Sequence, residues 1–234
     1  MFLSEKREID EETGLPKVKG RFVYDGSQTR PWIDKDDTAS PTPYQESIML
    51  TGVIDAVERR NTLIADIPNA FIQAEVPGAD KPGERIIMKI TGILVELLCK
   101  YAPEVYAPFV VIENGKRVIY VQVLKAIYGM LISALLWYRM FKQDLESIGF
   151  EFNPYDMCVA NRMIEGSQQT VRFHVDDLWS SHLKKSVNDK FLMWLNDKYG
   201  EHGAVSAEQS NKFDYLGVND DLSEPGVLKL DMID

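Results

Sequence analysis

The spacing of apolar residues predicts four amphipathic helices. Apolar positions recur every three or four residues in four segments, residues 40–60, 92–102, 130–145 and 187–200. The first begins with Ser40 and nearby prolines, which suit the start of a helix better than the middle of a strand. The third is the longest and most apolar, and it stops at Gly149, a residue type that commonly ends helices. We expect this third helix to be well buried.

Runs rich in β-branched and aromatic residues predict strands between these helices. They fall at residues 17–24, 61–68, 86–91, 109–123, 168–174, 178–182, 213–222 and 226–233. Asn114-Gly115 divides the fourth run and is the dipeptide that two-residue hairpin loops prefer. The order of elements predicts an α+β fold of antiparallel hairpins with helices packed to one side.

Composition and charge narrow the class of protein. The chain has 234 residues and 45% apolar side chains, enough for a substantial buried core. It contains no apolar run of about 18 residues and no secretory signal at its N-terminus, so we expect a soluble intracellular protein without a membrane partner. Cys99 and Cys158 lack neighbouring ligands and are interpreted as reduced core thiols. A net charge of −10 argues against a surface that coats nucleic acid, but it allows a local basic groove.

Two adjacent carboxylates, Asp176 and Asp177, stand in the sequence RFHVDDLWSS between two predicted strands. A solvated aspartate-rich turn is one explanation. Asp66, however, ends another apolar strand, and three carboxylates converge if these strands are neighbours. Each pair of charges would then repel by about 4 kcal/mol at a separation of about 4 Å and an effective dielectric of about 20. Two divalent ions, Mg²⁺ or Mn²⁺, would offset that repulsion and suit in-line phosphoryl transfer.

Five segments in order resemble the reverse transcriptases of copia-like LTR retrotransposons. The core of the resemblance is ADIPNAFIQ (residues 65–73), KAIYGMLISALLWY (residues 125–138) and HVDDL (residues 174–178). RFVYDGSQTR lies upstream and DYLGV downstream, as in the family. The resemblance implies an RNA-directed DNA polymerase with an antiparallel palm sheet and fingers but without a thumb. It places the fingers at residues 1–43 and 76–117, and the palm at residues 44–75 and 118–234.

The resemblance also assigns roles in catalysis. Asp66, Asp176 and Asp177 match the catalytic aspartates, and the backbone carbonyl of Ile67 matches a further metal ligand. Two Mg²⁺ or Mn²⁺ ions, a dNTP and an RNA or DNA template with its primer are the implied cofactors and partners.

Residues on either side of the aspartates match substrate-binding positions of the family. Phe71 matches the bulky residue that excludes a 2′-hydroxyl, although an ordinary core phenylalanine fits the pattern equally well. Arg21, with Lys19 or Lys17, matches the basic strand that holds the triphosphate; a solvated strand face is the alternative. Tyr128 and Gly129 match a nucleotide-side pair. The remaining assignments are primer contacts by Tyr215 and Gly217 in the segment Tyr215-Leu216-Gly217, for which a tight turn or bulge is the alternative.

The chain departs from the family at two places. Ile132-Ser133-Ala134-Leu135 replaces the usual Gln-Ala/Ser-Pro-Arg, and His174 replaces the usual aromatic residue before the aspartates. These changes leave open a second hypothesis, a catalytically inactive or truncated retroelement remnant that folds and at most binds nucleic acid. A metal-dependent nuclease using the same carboxylates is a third, and it would shorten primers instead of extending them.

The resemblance also implies a larger setting. We expect a polymerase core from a longer polyprotein whose other parts would be the thumb, RNase H and integrase. The compartment implied is the cytoplasm or a virus-like particle.

Overall fold

The computed structural model describes residues 2–9, 14–21, 23–34, 38–78, 80–81 and 83–232. The helices are α1 (Gln45–Glu58), α2 (Ala70–Gln73), α3 (Ile93–Tyr101), α4 (Pro103–Tyr106), α5 (Ser133–Ser147) and α6 (Lys185–Tyr199), with 3-10 turns at Gly26–Trp32, Ala107–Phe109 and Gly200–His202. The strands are β1 (Phe2–Ile9), β2 (Pro16–Arg21), β3 (Asn61–Asp66), β4 (Ile87–Thr91), β5 (Val111–Glu113), β6 (Lys116–Gln122), β7 (Glu151–Phe152), β8 (Val159–Ile164), β9 (Ser167–His174), β10 (Asp177–His182), β11 (Ser206–Glu208), β12 (Lys212–Tyr215), β13 (Val218–Asp221) and β14 (Lys229–Met232). The prediction of a mixed α and β fold with antiparallel hairpins is confirmed.

A six-stranded sheet in the order β11-β3-β10-β9-β8-β7 forms the centre of the molecule. Every neighbouring pair in it is antiparallel. Strand β3 lies between β10 and β11, so a strand from the first third of the chain is inserted among strands from its last third. The sheet therefore brings together segments that are far apart in the sequence.

Helices α5 and α6 cover one face of this sheet and enclose the main apolar core. Their buried residues recur at helical spacing: Leu135, Tyr138, Phe141 and Leu145 on α5, and Val187, Phe191, Leu195 and Tyr199 on α6. All of them except Val187 share one core cluster with the alternate strand residues Leu63, Ala65, Val171, Phe173 and Leu178. The apolar side chains of the two helices thus pack on the apolar face of the sheet and form one core layer.

The opposite face of the sheet is covered as well, which corrects the expectation of helices on one side only. Arg172 and Trp179 are cross-strand partners on this face. The guanidinium of Arg172 donates to the carbonyl oxygen of Ile48 in α1 (3.0 Å), and the Trp179 indole donates to Asp55 of the same helix (2.9 Å). Consecutive residues of the central strands β9 and β10 are buried, so side chains on both faces of these strands are covered.

A small antiparallel sheet, β12-β13-β14, completes this second layer. Phe213 and Tyr215 from β12 pack their rings against Trp179 at centroid distances of 5.1 and 5.5 Å. The single strand predicted over residues 213–222 is two strands, because Leu216 and Gly217 adopt positive φ values of 53° and 80° and form a two-residue hairpin loop.

A separate three-stranded sheet, β4-β6-β5, packs on helix α3 through Ile90, Val95 and Ile119. The predicted hairpin at Asn114-Gly115 is confirmed, and both residues have positive φ (49° and 75°). The predicted domain boundary at residue 117 lies inside β6, which belongs to this sheet along its whole length.

The predicted helix over residues 130–145 begins later and ends later than expected, as α5. Residues 125–132 form an irregular connection instead, in which Lys125 bridges to Glu75 and the hydroxyl of Ser133 donates to the carbonyl oxygen of Ile127 (2.7 Å). Helix α5 begins directly after this connection, and its N-cap residue Ile132 makes no side-chain capping hydrogen bond. In the described part of the chain no helix is long and apolar enough to cross a membrane.

Candidate active site

Four strand ends place His174, Asp177, Asp66 and Ser206 in one row across the central sheet. Asp177 pairs with His174 on one side and with Asp66 on the other, and Asp66 pairs in turn with Ser206. Directly opposed residues of antiparallel strands project their side chains from the same face, with Cβ atoms about 4.5–5.5 Å apart. Asp66 is exposed and Asp177 is half-buried. The two carboxylates therefore share one open end of the sheet.

Asp176 occupies the two-residue loop that joins β9 to β10. Its carbonyl oxygen accepts a hydrogen bond from the backbone N–H of Ile67 (3.1 Å). This bond ties the loop to the residue that follows Asp66. The structure thus brings the three predicted aspartates and Ile67 to the same place, although they come from distant parts of the sequence.

Burial and neighbouring negative charge together raise the pKa of Asp177. Burial has the larger effect, followed by repulsion from Asp176 and Asp66, while His174 acts in the opposite direction. Like charges on adjacent strands destabilise the fold unless a cation is present to offset them. The row is therefore an electrostatically costly arrangement, of the kind found at functional sites.

The donors at this end suit Mg²⁺ or Mn²⁺ in kind, because they are carboxylate and carbonyl oxygens. Among the residues that the structure describes, no group of three or more His, Cys, Asp or Glu side chains forms a cluster that could hold a metal ion. Mg²⁺ is commonly held by one or two carboxylates together with waters and substrate phosphates, so it does not require a complete protein cage. Carboxylates such as Asp66 and Asp177 are therefore of the kind that can supply part of the coordination of such an ion.

Two of the predicted nucleotide-binding residues are in contact. The ring centroids of Phe71 and Tyr128 lie 4.7 Å apart, and the two ring planes are tilted by 58°. Phe71 belongs to the short helix α2, which begins four residues after Asp66. Gln73 of the same helix donates to the carbonyl oxygen of Tyr199 (3.2 Å) and so ties α2 to α6. This aromatic pair is held close to the end of β3.

Gly129 approaches another part of the main chain very closely. Its φ is +91°, and a Cβ atom there would lie 2.0 Å from the carbonyl oxygen of Tyr24. The reciprocal position is also tight, since a Cβ on Gly26 would lie 2.3 Å from the carbonyl oxygen of Gly129. The backbone N–H of Tyr24 donates to the carbonyl oxygen of Tyr128 (2.7 Å). The main chain at Gly129 thus closely approaches residues 23–26 of this chain.

The basic residues predicted to hold a triphosphate lie on β2. Lys19 pairs with Ser4 and Arg21 with Phe2 along the backbone. The side chains of Lys17, Lys19 and Arg21 lie outside the part of the structure that is described.

The predicted primer-contacting residues differ in exposure. Tyr215 is only 3% exposed, and its ring lies against Trp179 and the guanidinium of Arg172. Burial raises the pKa of its hydroxyl. Gly217 is exposed in the loop between β12 and β13. In this motif, Leu216 and Gly217 are therefore exposed to solvent, whereas the Tyr215 ring is buried beneath them.

The residues that depart from the family pattern pack in the interior. Ile132 contacts the apolar cluster of Val76, Val123 and Met130, and Leu135 is 7% exposed in the main core. Both side chains therefore pack in the interior at the start of α5.

Three residues that the sequence motifs do not single out lie on the elements that carry the carboxylates or pack against them: Trp137, Arg172 and Ser206. Trp137 donates its indole N–H to the carbonyl oxygen of Val175, beside Asp176 (2.7 Å). Arg172 is fully buried, two residues before His174. A single arginine inside the apolar run TVRFH was a signal that a buried partner exists. Ser206 lies in a short strand with no recognisable pattern, and nothing in the sequence points to it.

No protein-family model matches this chain, and no curated protein matches it. Among solved structures, it is similar to the apo telomerase from Candida tropicalis truncated from its C-terminal domain, with a TM-score of 0.39 and 11% identity over 82% of this chain and 40% of that one. It is also similar to the telomerase from Candida albicans in complex with a TWJ fragment of telomeric RNA, with a TM-score of 0.39 and 10% identity over 88% of this chain and 37% of that one. The chain spans about two fifths of the length of these structures.

Proposed function

We propose that this chain is the core of an RNA-directed DNA polymerase of the copia-like retrotransposon type. The observation that supports the proposal most strongly is the placement of Asp66 directly opposite Asp177, with Asp176 in the adjoining loop. These are the three carboxylates that the sequence motifs single out. In this proposal the central sheet with α1, α5 and α6 corresponds to the palm, and β1-β2 with the β4-β6-β5 sheet corresponds to the fingers.

Each residue of the site has a defined task in this proposal. Asp66, Asp176 and Asp177, with the Ile67 carbonyl, would hold two Mg²⁺ or Mn²⁺ ions, which would activate the primer 3′-hydroxyl and stabilise the pyrophosphate that leaves. Their negative charge, concentrated at one end of the sheet, is what makes that end attract cations. The protein's own contribution is to keep these oxygens at fixed positions before substrate arrives.

The Phe71 and Tyr128 pair would select the sugar of the incoming nucleotide. Phe71 is restrained by its contact with Tyr128 and by the attachment of α2 to α6. A ring held in place leaves no room for a 2′-hydroxyl, whereas a ring free to move aside would admit a ribonucleotide. Arg21 and Lys19 would add positive charge for the triphosphate, in which arginine can contact two oxygens at once.

The partners proposed are a primed RNA or DNA template, dNTPs and the thumb, RNase H and integrase parts of a polyprotein. The compartment proposed is the cytoplasm or a virus-like particle.

The decisive experiment is primer extension on poly(rA)–oligo(dT) with dTTP and either Mg²⁺ or Mn²⁺. We expect extension by the unaltered chain and its loss in Asp176→Asn, a change that removes one charge while keeping the shape of the side chain. The matched control is Asp197→Asn, which makes the same change on an exposed residue of α6 and should leave extension intact. Equal extension by the Asp176 and Asp197 variants would contradict the proposal.

A remnant that folds but does not polymerise is the second candidate, and the apolar residues Ile132 and Leu135 favour it. It predicts that the unaltered chain gives no extension with either metal while still melting cooperatively. Binding of a fluorescent primer–template, measured by anisotropy, then separates a remnant that binds nucleic acid from one that does not.

A further inference from the structure

The loop that carries Asp176 contains a residue in an unfavourable backbone conformation. Val175 has a φ of +57°. This left-handed region suits glycine or asparagine, and a β-branched residue is an outlier there because its Cβ crowds the backbone. Such a conformation persists only where the surrounding structure enforces it. The surroundings of Val175 must therefore contain the groups that hold this loop.

Two hydrogen bonds from different elements fix the peptide groups on either side of Asp176. The Val175 carbonyl accepts from the Trp137 indole N–H in α5 (2.7 Å). The Asp176 carbonyl accepts from the backbone N–H of Ile67, next to β3 (3.1 Å). The orientations of these two peptide planes set the backbone dihedrals of Asp176, and with them the direction in which its carboxylate leaves the main chain.

Trp137 is itself immobilised by its neighbours. It is 1% exposed, it stacks on Phe141 with ring centroids 5.2 Å apart, and Tyr199 packs edge-on against it at 5.4 Å. A buried aromatic ring packed on two others has little rotational freedom. Its N–H therefore points at a fixed position, and a hydrogen bond in this dry environment is strong.

We propose that Trp137 is a positioning residue for Asp176. It acts through the Val175 carbonyl, holding the loop in a conformation that the loop would otherwise leave. This inference rests on the proposed function, because it takes the Asp176 carboxylate to be a metal ligand whose orientation matters. Trp137 is 1% exposed, so it would act on the carboxylate through the backbone and not by contact with substrate or metal. Without the indole N–H, the loop relaxes and the carboxylate turns away from Asp66.

The test is Trp137→Phe, which keeps an aromatic ring in the core and removes only the donor and one ring of the indole. Supporting partners of metal ligands typically change metal affinity or activity about 10- to 100-fold when lost. We expect the affinity for Mn²⁺, measured by isothermal titration calorimetry, to fall about 10-fold or more. We expect kcat for dTTP incorporation to fall by a similar factor, while KM for dTTP changes much less.

Trp194→Phe is the matched control. Trp194 lies in α6 and packs on Phe191 and Tyr199 in the same core, so the substitution makes the same chemical change. Trp194 is only partly buried, so this substitution should lower the melting temperature no more than Trp137→Phe does, and it should leave Mn²⁺ affinity and kcat unchanged. If the two variants affect Mn²⁺ affinity and kcat equally, the effect is one of general core packing and the inference is wrong.

A second readout does not depend on polymerase activity. Amide hydrogen exchange at Ile67 reports directly on its hydrogen bond to the Asp176 carbonyl. Exchange at Ile67 should accelerate severalfold, up to about 10-fold, in Trp137→Phe and stay unchanged in Trp194→Phe. Unchanged protection of Ile67 in Trp137→Phe would overturn the inference. This measurement decides the matter even if the unaltered chain neither binds Mn²⁺ nor extends primers, a result that would count against the proposed function alone.

Discussion

Gly129 shows how one residue without a side chain fixes the path of two segments. Its position combines a left-handed backbone with a close approach to Tyr24. Only glycine meets both requirements at once. The contact joins residues 23–26, which continue from β2, to the connection that leads into α5.

Replacing Gly129 by alanine should therefore be more damaging than replacing an ordinary left-handed glycine. Gly149 is the control, because its φ is +90° and a Cβ there would meet nothing within 4 Å. We expect Gly149→Ala to cost about 1–2 kcal/mol in the free energy of unfolding, from backbone strain alone. Gly129→Ala should cost roughly 1–3 kcal/mol more, because Tyr24 must also move. Urea denaturation of both variants measures the difference, and equal costs would show that the contact with Tyr24 is easily relieved.

At the scale of elements, Arg172 attaches helix α1 to the central sheet. Its guanidinium donates to the Ile48 carbonyl oxygen (3.0 Å) and the Thr51 hydroxyl (2.6 Å). The same group lies over the Trp179 ring, 3.9 Å from the centroid. A planar guanidinium can stack and donate in several directions together, which a lysine ammonium cannot. Helix, sheet and the β12-β13-β14 layer meet at this one side chain.

Arg172→Lys should therefore loosen α1 even though it preserves the charge. We expect the free energy of unfolding to fall by about 3 kcal/mol, the order found when a buried charged group loses its partners. Hydrogen exchange in α1 should accelerate more than exchange in α5, which packs on the other face. The control, Arg117→Lys on an exposed position of β6, should change stability by less than about 0.5 kcal/mol. A loss no larger than that of the control would mean that α1 is held by its apolar contacts alone.

At the scale of the whole molecule, buried carboxylates shape the pH dependence of stability. Asp220 on β13 is 3% exposed, and burial raises its pKa to about 6, an effect that Arg172 opposes and Asp214 reinforces. Between its ordinary pKa, near 3.8, and this value, the folded protein binds a proton that the unfolded chain has released. The free energy of unfolding therefore falls as pH rises through this window and levels off above it.

We expect the free energy of unfolding to fall by at most about 3 kcal/mol between pH 4 and pH 7 through Asp220, since one unit of pKa corresponds to about 1.4 kcal/mol. Asp220→Asn should flatten this part of the profile. Asp221→Asn on the same strand is the control, because hydrogen bonds with Ser223 lower the pKa of Asp221 to about 2 and its titration lies below the window. Urea denaturation at several pH values measures all three slopes, and identical slopes for the unaltered chain and Asp220→Asn would contradict this account.

The sequence by itself determined most of the local helices and strands and identified the candidate catalytic aspartates. Helical and alternating spacing predicted α1, α3, α6 and most of the strands, and Asn114-Gly115 fixed a hairpin because its loop requires positive φ. These features depend on neighbours within a few residues. Asp66, Asp176 and Asp177 could be singled out for the same reason, since each stands at the end of an apolar run.

Only the tertiary structure decided how these pieces meet. The strand order places Asp66 opposite Asp177 and allows the Ile67 N–H to donate to the Asp176 carbonyl oxygen. Helix α1 packs on the face of the sheet that α5 and α6 leave uncovered. The connection that precedes α5 is likewise held by a residue distant in the sequence, through the bridge between Lys125 and Glu75. Pairing between distant strands is chosen by the summed packing and hydrogen bonding of the whole chain, and no local pattern encodes it. Trp137 could not be found from the sequence because its importance lies in one hydrogen bond to a carbonyl on another element.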